Sequence, residues 1–293
     1  MPSVCSTRVS SRASGRASLR ALGIGLALAL GGVVAVVTFS SSDGRVTQVG
    51  ALASPAPAQF QASPRTTAAA TTISFFGDSL AHQARAAYAA QLARRSRATS
   101  TIGAFPLTAL CDFLPAITAD LIQRRPGVLV LEFSGNSLTA CMRDRSGALP
   151  TIGSTRWLSH YLDDLRGVLA VAGTTGTTVL WATAPPVSRS QFSSDYPRRI
   201  AAAIRKLAAT NDRLHVVDTG AALTADGRAF SHTLPCRPDE AAYCENGRLV
   251  VRSDDGLHFD CQGSPDPLGA CVGYSAGARR FGEAIADAAA DAR

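Results

Sequence analysis

Phe76-Gly77-Asp78-Ser79-Leu80 is the stretch on which the reading of this chain turns. It closes an apolar run, residues 73–76. It opens an Ala-rich run, 80–95, in which Ala86, Ala87, Ala90 and Leu92 recur at helical spacing. A buried strand, a sharp turn carrying a serine, and a helix therefore follow one another. The alternation continues. Apolar segments at 100–102, 128–133, 178–181 and 214–217 read as strands, and 249–251 as a small extra one. Segments 116–124, 157–171, 198–209 and 275–290 read as helices, the third-last of them with Leu158, Tyr161, Leu162, Leu165 and Leu169 on one face and the last capped by Ser275. Strands alternating with helices predict a parallel sheet covered on both faces. Strands without polar alternation fit that burial.

Of the 293 residues, 46% are hydrophobic, enough for a full core. The formal charge is +7, and Arg8, Arg12, Arg16 and Arg20 account for four of those charges, which leaves +3 for the rest. So mild and dispersed an excess excludes nucleic acid as the expected partner, since that needs a clustered basic face. Residues 21–39 carry no charge. As a helix they would be about 28 Å long, close to the ~30 Å hydrocarbon core. With four arginines before this run and Asp43 after it, the positive-inside rule places the N-terminus in the cytoplasm and the remainder outside. The expected organisation is a basic N-terminus (1–20), a transmembrane anchor (21–40), a flexible Ser/Ala/Pro-rich linker (41–70) and one domain (71–293). The competing reading is a cleaved signal peptide, with Ala51-Leu52-Ala53 and Ala56-Pro57-Ala58 as sites. The glycines of 23–32 fall inside the apolar run and make no dinucleotide fingerprint.

Cys5 lies on the inner side and is expected to be a free thiol. The other six cysteines form an even set suited to an oxidising compartment. Sequence nearness favours Cys236–Cys244 and Cys261–Cys271, leaving Cys111–Cys141. No Cys-X-X-Cys or His-Glu-X-X-His spacing occurs, so neither a metal nor another cofactor is expected.

Alcohols are poor nucleophiles at neutral pH and need a base and oxyanion donors. Ser79 opens a helix, whose N–H groups face a developing negative charge. Asp255-Gly256-Leu257-His258 supplies an imidazole to take the serine proton and a carboxylate to hold its tautomer. Asn136, in Ser134-Gly135-Asn136-Ser137, follows the strand at 128–133 and offers a side-chain N–H. Both Ser79 and Asn136 follow strand C-termini, where parallel α/β sheets bind ligands. His82, one turn after Ser79, is a candidate to face the site, His215 reads as a core residue, and Arg143 and Arg145 read as solvated charge.

These three blocks together resemble the SGNH (GDSL-type) hydrolase superfamily, from about Thr71 onward. The resemblance implies a three-layer α/β/α sandwich with a central parallel, flavodoxin-like sheet. It implies Ser79 as nucleophile, His258 as base and Asp255 as its orienting acid. The oxyanion hole would comprise the Ser79 amide, Asn136 and a glycine amide. Two departures are visible: Ser137 stands where Asp often follows the asparagine, and Gly103 is the only glycine in 101–112, a stretch where Pro106 has no N–H to give. The expected function is an extracytoplasmic serine esterase acting on an acylated envelope glycan or lipid. The alternatives are an O-acyltransferase acting on a glycan and a non-catalytic glycan-binding domain.

Overall fold

The computed structural model describes residues 71–192 and 195–292. The basic N-terminus, the anchor at 21–40, the linker and Cys5 lie outside the described residues. Among the described residues no helix is long and apolar enough to cross a membrane.

The elements run β1 (Thr72–Gly77), α1 (Ser79–Arg95), β2 (Thr99–Ala104), α2 (Leu110–Gln123), β3 (Val128–Glu132), α3 (Thr155–Thr175), β4 (Thr178–Ala182), α4 (Tyr196–Ala208), β5 (Leu214–Val217), β6 (Thr233–Pro235), β7 (Arg248–Val250) and α5 (Ala276–Asp291). Strands β1 to β5 form one sheet, in the order β2-β1-β3-β4-β5, with every pairing parallel. Successive side chains in β3 and β4 enter opposite cores. Leu129, Leu131, Val179 and Trp181 pack with α2, α3 and α4, while Val128, Val130, Leu180 and Ala182 pack with α1 and α5. Both faces are buried, so period 2 persists in space although nothing polar marks it in the sequence. The chain leaves β1 toward β2 on one side and toward β3, β4 and β5 on the other. The strand order therefore reverses between β1 and β3, which is where such sheets open a crevice.

Three features differ from the sequence reading. Helix α2 begins at Leu110, not at 116, and continues through Pro115. That proline forfeits only the bond to the Cys111 carbonyl, and Asp112 ties the start by accepting from the Ala109 N–H at 2.8 Å. His215 is exposed and not in the core, because β5 is an edge strand with β4 as its one neighbour. Strand β7 has a partner, β6, which lies in what reads as loop and packs Leu234 and Leu249 with Val251 in a small third core. The disulfides join Cys111 to Cys141, Cys236 to Cys244, and Cys261 to Cys271.

Gly77 is where the strand must turn into the helix with nothing in the way. A Cβ there would lie 2.4 Å from the Ala81 Cβ and 2.4 Å from the Glu132 carbonyl oxygen. Gly77→Ala is accordingly expected to destabilise the fold by about 2 kcal/mol, read as a lower urea midpoint with an unchanged m-value.

Candidate active site

Helix α1 starts against the bottom of the crevice. Asp78 is its N-cap and is fully buried, accepting from the Leu80 N–H through Oδ1 at 3.0 Å. Its other oxygen accepts from the Ser134 N–H (2.7 Å) and hydroxyl (2.6 Å), so the β1–α1 turn and the loop after β3 are tied through one carboxylate. Ser79 follows, 7% exposed.

His258 reaches this serine from the far end of the chain. Its Nε2 is 3.0 Å from Ser79 Oγ, and its Nδ1 is 2.6 Å from Asp255 Oδ2. A carboxylate can only accept, so Nδ1 carries the proton and Nε2 is left to accept from the serine hydroxyl. Asp255 is fixed in turn, because Oδ1 accepts from the Ser253 hydroxyl (2.6 Å) and from the Leu257 and His258 amides (both 2.8 Å). Burial pushes the Asp255 carboxyl up, but the hydrogen bonds from His258, Ser253 and the two amides outweigh it and hold the group well below the usual range.

The loop carrying these residues rests on a side chain that no motif marks. Arg252 is fully buried, donating to the Pro186 carbonyl at 3.0 Å and the Leu257 carbonyl at 2.6 Å, with the Phe230 and Phe259 rings 5.2 and 5.9 Å away. Burial lowers it to about 10, so it stays charged at neutral pH. The Ser188 N–H donates to the Gly256 carbonyl at 2.9 Å, joining the same loop to the segment after β4. Gly256 has φ +71, and a Cβ there would meet that of Ser188 at 2.4 Å.

Asn136 stands at the crevice, held from α3. Trp157 donates to the Gly135 carbonyl (3.0 Å) and Tyr161 to the Asn136 carbonyl (2.8 Å). The Asn136 amide donates to the Thr108 carbonyl at 3.0 Å and lies 3.5 Å from Asp78 Oδ2. It therefore faces protein acceptors, and an incoming oxyanion has to replace Thr108. Gly103 belongs to β2, where a Cβ would press on the Phe76 ring at 2.7 Å, so it is a packing residue. The Phe105 N–H is taken by the Gly77 carbonyl. In the loop at 105–108 the Leu107 and Thr108 amides alone have no acceptor among the described residues, and Leu107 adopts φ +62.

His82 is buried and donates from Nδ1 to the Ala104 carbonyl at 3.1 Å, and burial lowers its pKa. It makes no hydrogen bond to the triad among the described residues. Arg143 and Arg145 are exposed, and Arg143 donates to the Gly147 carbonyl. A groove of about 620 Å³ runs between α1 and α5 past Gln83, Arg94, Tyr274 and Arg279, but Ser79, Asp255 and His258 do not line it.

The family model described as "Protein of unknown function (DUF459)" matches residues 72–265. The chain belongs to this family. That match spans the segments that carry Ser79, Asn136, Asp255 and His258. No curated protein matches the chain. Among solved structures, it is similar to a lipase/acylhydrolase from Enterococcus faecalis at 16% identity and TM-score 0.47, over 75% of this chain and 96% of that one. It is similar to the C-terminal catalytic domain of Streptococcus pneumoniae peptidoglycan O-acetyltransferase A at 15% identity and TM-score 0.44, over 75% and 92%. It is also similar to an acetylxylan esterase from Geobacillus stearothermophilus at 13% identity and TM-score 0.39, over 55% and 87%.

Asp255→Asn leaves its oxygen on the three donors that hold Oδ1 and sets an amide N–H donor opposite His258 Nδ1, which forces the wrong imidazole tautomer. The variant is expected to react with a fluorophosphonate at Ser79 about 10⁴-fold more slowly than the native protein, with an unchanged far-UV circular dichroism spectrum.

Proposed function

We propose that the protein is an extracytoplasmic serine esterase that removes a short acyl group, such as O-acetyl, from an envelope glycan or lipid. One observation carries this reading: the continuous chain of contacts from Ser79 Oγ through both nitrogens of His258 to Asp255. The serine proton passes to His258 Nε2 as Oγ forms its bond to the ester carbonyl carbon. The negative charge on the carbonyl oxygen is received by the Ser79 N–H, by Asn136 once it turns from Thr108, and by an amide of 107–108. The ester C–O bond then breaks, and the leaving alcohol takes the proton from His258. Water then attacks the acyl-Ser79 and gives up its proton to His258; the bond between the acyl carbon and Oγ breaks, Ser79 Oγ takes that proton back, and the free acid departs. Asp255 stays ionised and holds the imidazolium as it forms.

Three disulfides support a location in an oxidising compartment, and the uncharged run at 21–39 after four arginines supports a tether to the membrane.

Ser79→Ala is expected to abolish turnover of p-nitrophenyl acetate and leave the thermal midpoint within a few degrees. Undiminished turnover in that variant would reject Ser79 as nucleophile. With an acetylated glycan as substrate and a second glycan as acceptor, free acetate is the expected product. Acetylated acceptor in its place would make the protein a transferase. Asn136→Ala is expected to lower kcat by about 10²-fold with little change in KM.

A further inference from the structure

Beneath the nucleophile lies a second carboxyl group that the mechanism does not use. Glu132, the last residue of β3, is fully buried, and its Oε2 accepts from the Ala81 N–H at 3.0 Å. Its other oxygen has no partner among the described residues. Asp78, also fully buried, follows Gly77, which pairs with Glu132 across β1 and β3, and the Asp78 N–H donates to the Glu132 carbonyl at 3.1 Å; no arginine, lysine or histidine forms an ion pair with either acid among the described residues. Two desolvated carboxylates with no cation between them repel each other and lose their hydration. One proton removes most of that cost, and the donors decide where it sits. Asp78 receives the Leu80 amide, the Ser134 amide and the Ser134 hydroxyl, with Asn136 Nδ2 at 3.5 Å, whereas Glu132 receives a single amide. Donors favour the anion, so Asp78 keeps the charge and Glu132 the proton.

The amides of the first turn of α1 are shared out accordingly. Leu80 gives its N–H to the Asp78 side chain, Ala81 to Glu132, and His82 to the Asp78 carbonyl at 2.9 Å. The Ser79 N–H alone has no acceptor among the described residues. We propose that Glu132, held protonated beside Asp78, is a positioning residue of the active site: it occupies the Ala81 amide with a neutral group and leaves the Ser79 amide as the single open anion donor of the α1 N-terminus. A second full negative charge there would oppose the oxyanion that this amide has to receive. Burial, and then the Asp78 charge, hold the Glu132 carboxyl well above its ordinary value, in agreement with this placement of the proton. The other titratable groups facing the pair are Tyr161 from α3, Tyr196 from α4 and His258, which acts on Asp78.

This inference rests on the proposed serine chemistry but is tested separately from it. Glu132→Ala opens the Ala81 amide, and Glu132→Gln keeps a neutral acceptor for it. The rate of fluorophosphonate labelling at Ser79, measured on the full chain at pH 7, is expected to fall about tenfold or more in the alanine variant and to return to within about threefold of native in the glutamine variant. A glutamine variant as slow as the alanine one, with both folded by circular dichroism, would show that the ionised carboxylate is needed and overturn the proposal. So would an alanine variant as fast as native. Thermal unfolding gives a second reading that needs no activity. A carboxyl raised by folding contributes stability fully below its unfolded value, and that stability is lost as pH climbs toward the folded value. Native protein is therefore expected to lose stability relative to Glu132→Gln as pH rises from about 4.5. A pH-independent difference would contradict a protonated Glu132 even if Ser79 proved unreactive.

Discussion

A single buried carboxylate, that of Asp78, ties together the two chain segments that build this site. It caps α1, fixes the direction in which Ser79 leaves the β1 strand, and holds the loop after β3 through both donors of Ser134. Hydrogen bonds to a charged group contribute about 1.5–3 kcal/mol each, and leaving the group unsatisfied costs more. The β1–α1 turn and the Asn136 loop can therefore move only together. The reversal of strand order between β1 and β3 sets them side by side, and Gly77 lets the turn pass within reach of the Glu132 carbonyl.

The other half of the site arrives by a different route. Asp255 and His258 sit on a loop with no regular structure, whose rigidity comes from a buried guanidinium below it and from Asp255 folding back on its own amides above. Arg252 has no carboxylate partner among the described residues and bonds to backbone carbonyls, so its charge is spent on holding backbone in place. The β6–β7 hairpin and the Glu240–Arg280 pair buttress this region against α5. Two independent frames, one built on a buried anion and one on a buried cation, thus meet across the 3.0 Å between Ser79 and His258.

The parts legible in the sequence are those that local pattern determines. The order of strands and helices follows from apolar runs and their spacing, and the serine turn, the Gly135-Asn136 pair and the Asp255–His258 spacing are short-range signals. The structure joins the two cysteine pairs that nearness favours and the third pair that they leave. What sequence does not carry is lateral position. His215 sits in an apolar run but on an edge strand, and only the strand order exposes it. Helix α2 passes through Pro115 because its first turn is held by Asp112 and a disulfide. Glu132 looks like the polar end of a strand and Arg252 like any surface arginine. Their burial depends on partners far away in the chain, Ala81 for the first and Pro186 for the second. Gly103 occupies the stretch in which a donor glycine is sought, yet it makes room for Phe76.

In the proposed reaction Ser79 forms a covalent bond with the acyl group. Intact-mass and peptide mapping of the full chain, quenched in acid during turnover of an aryl acetate, tests it most directly. One added acetyl group is expected, located on Ser79 and absent after the ester is exhausted. Turnover with no acetyl on Ser79, or with the acetyl on another residue, would contradict it.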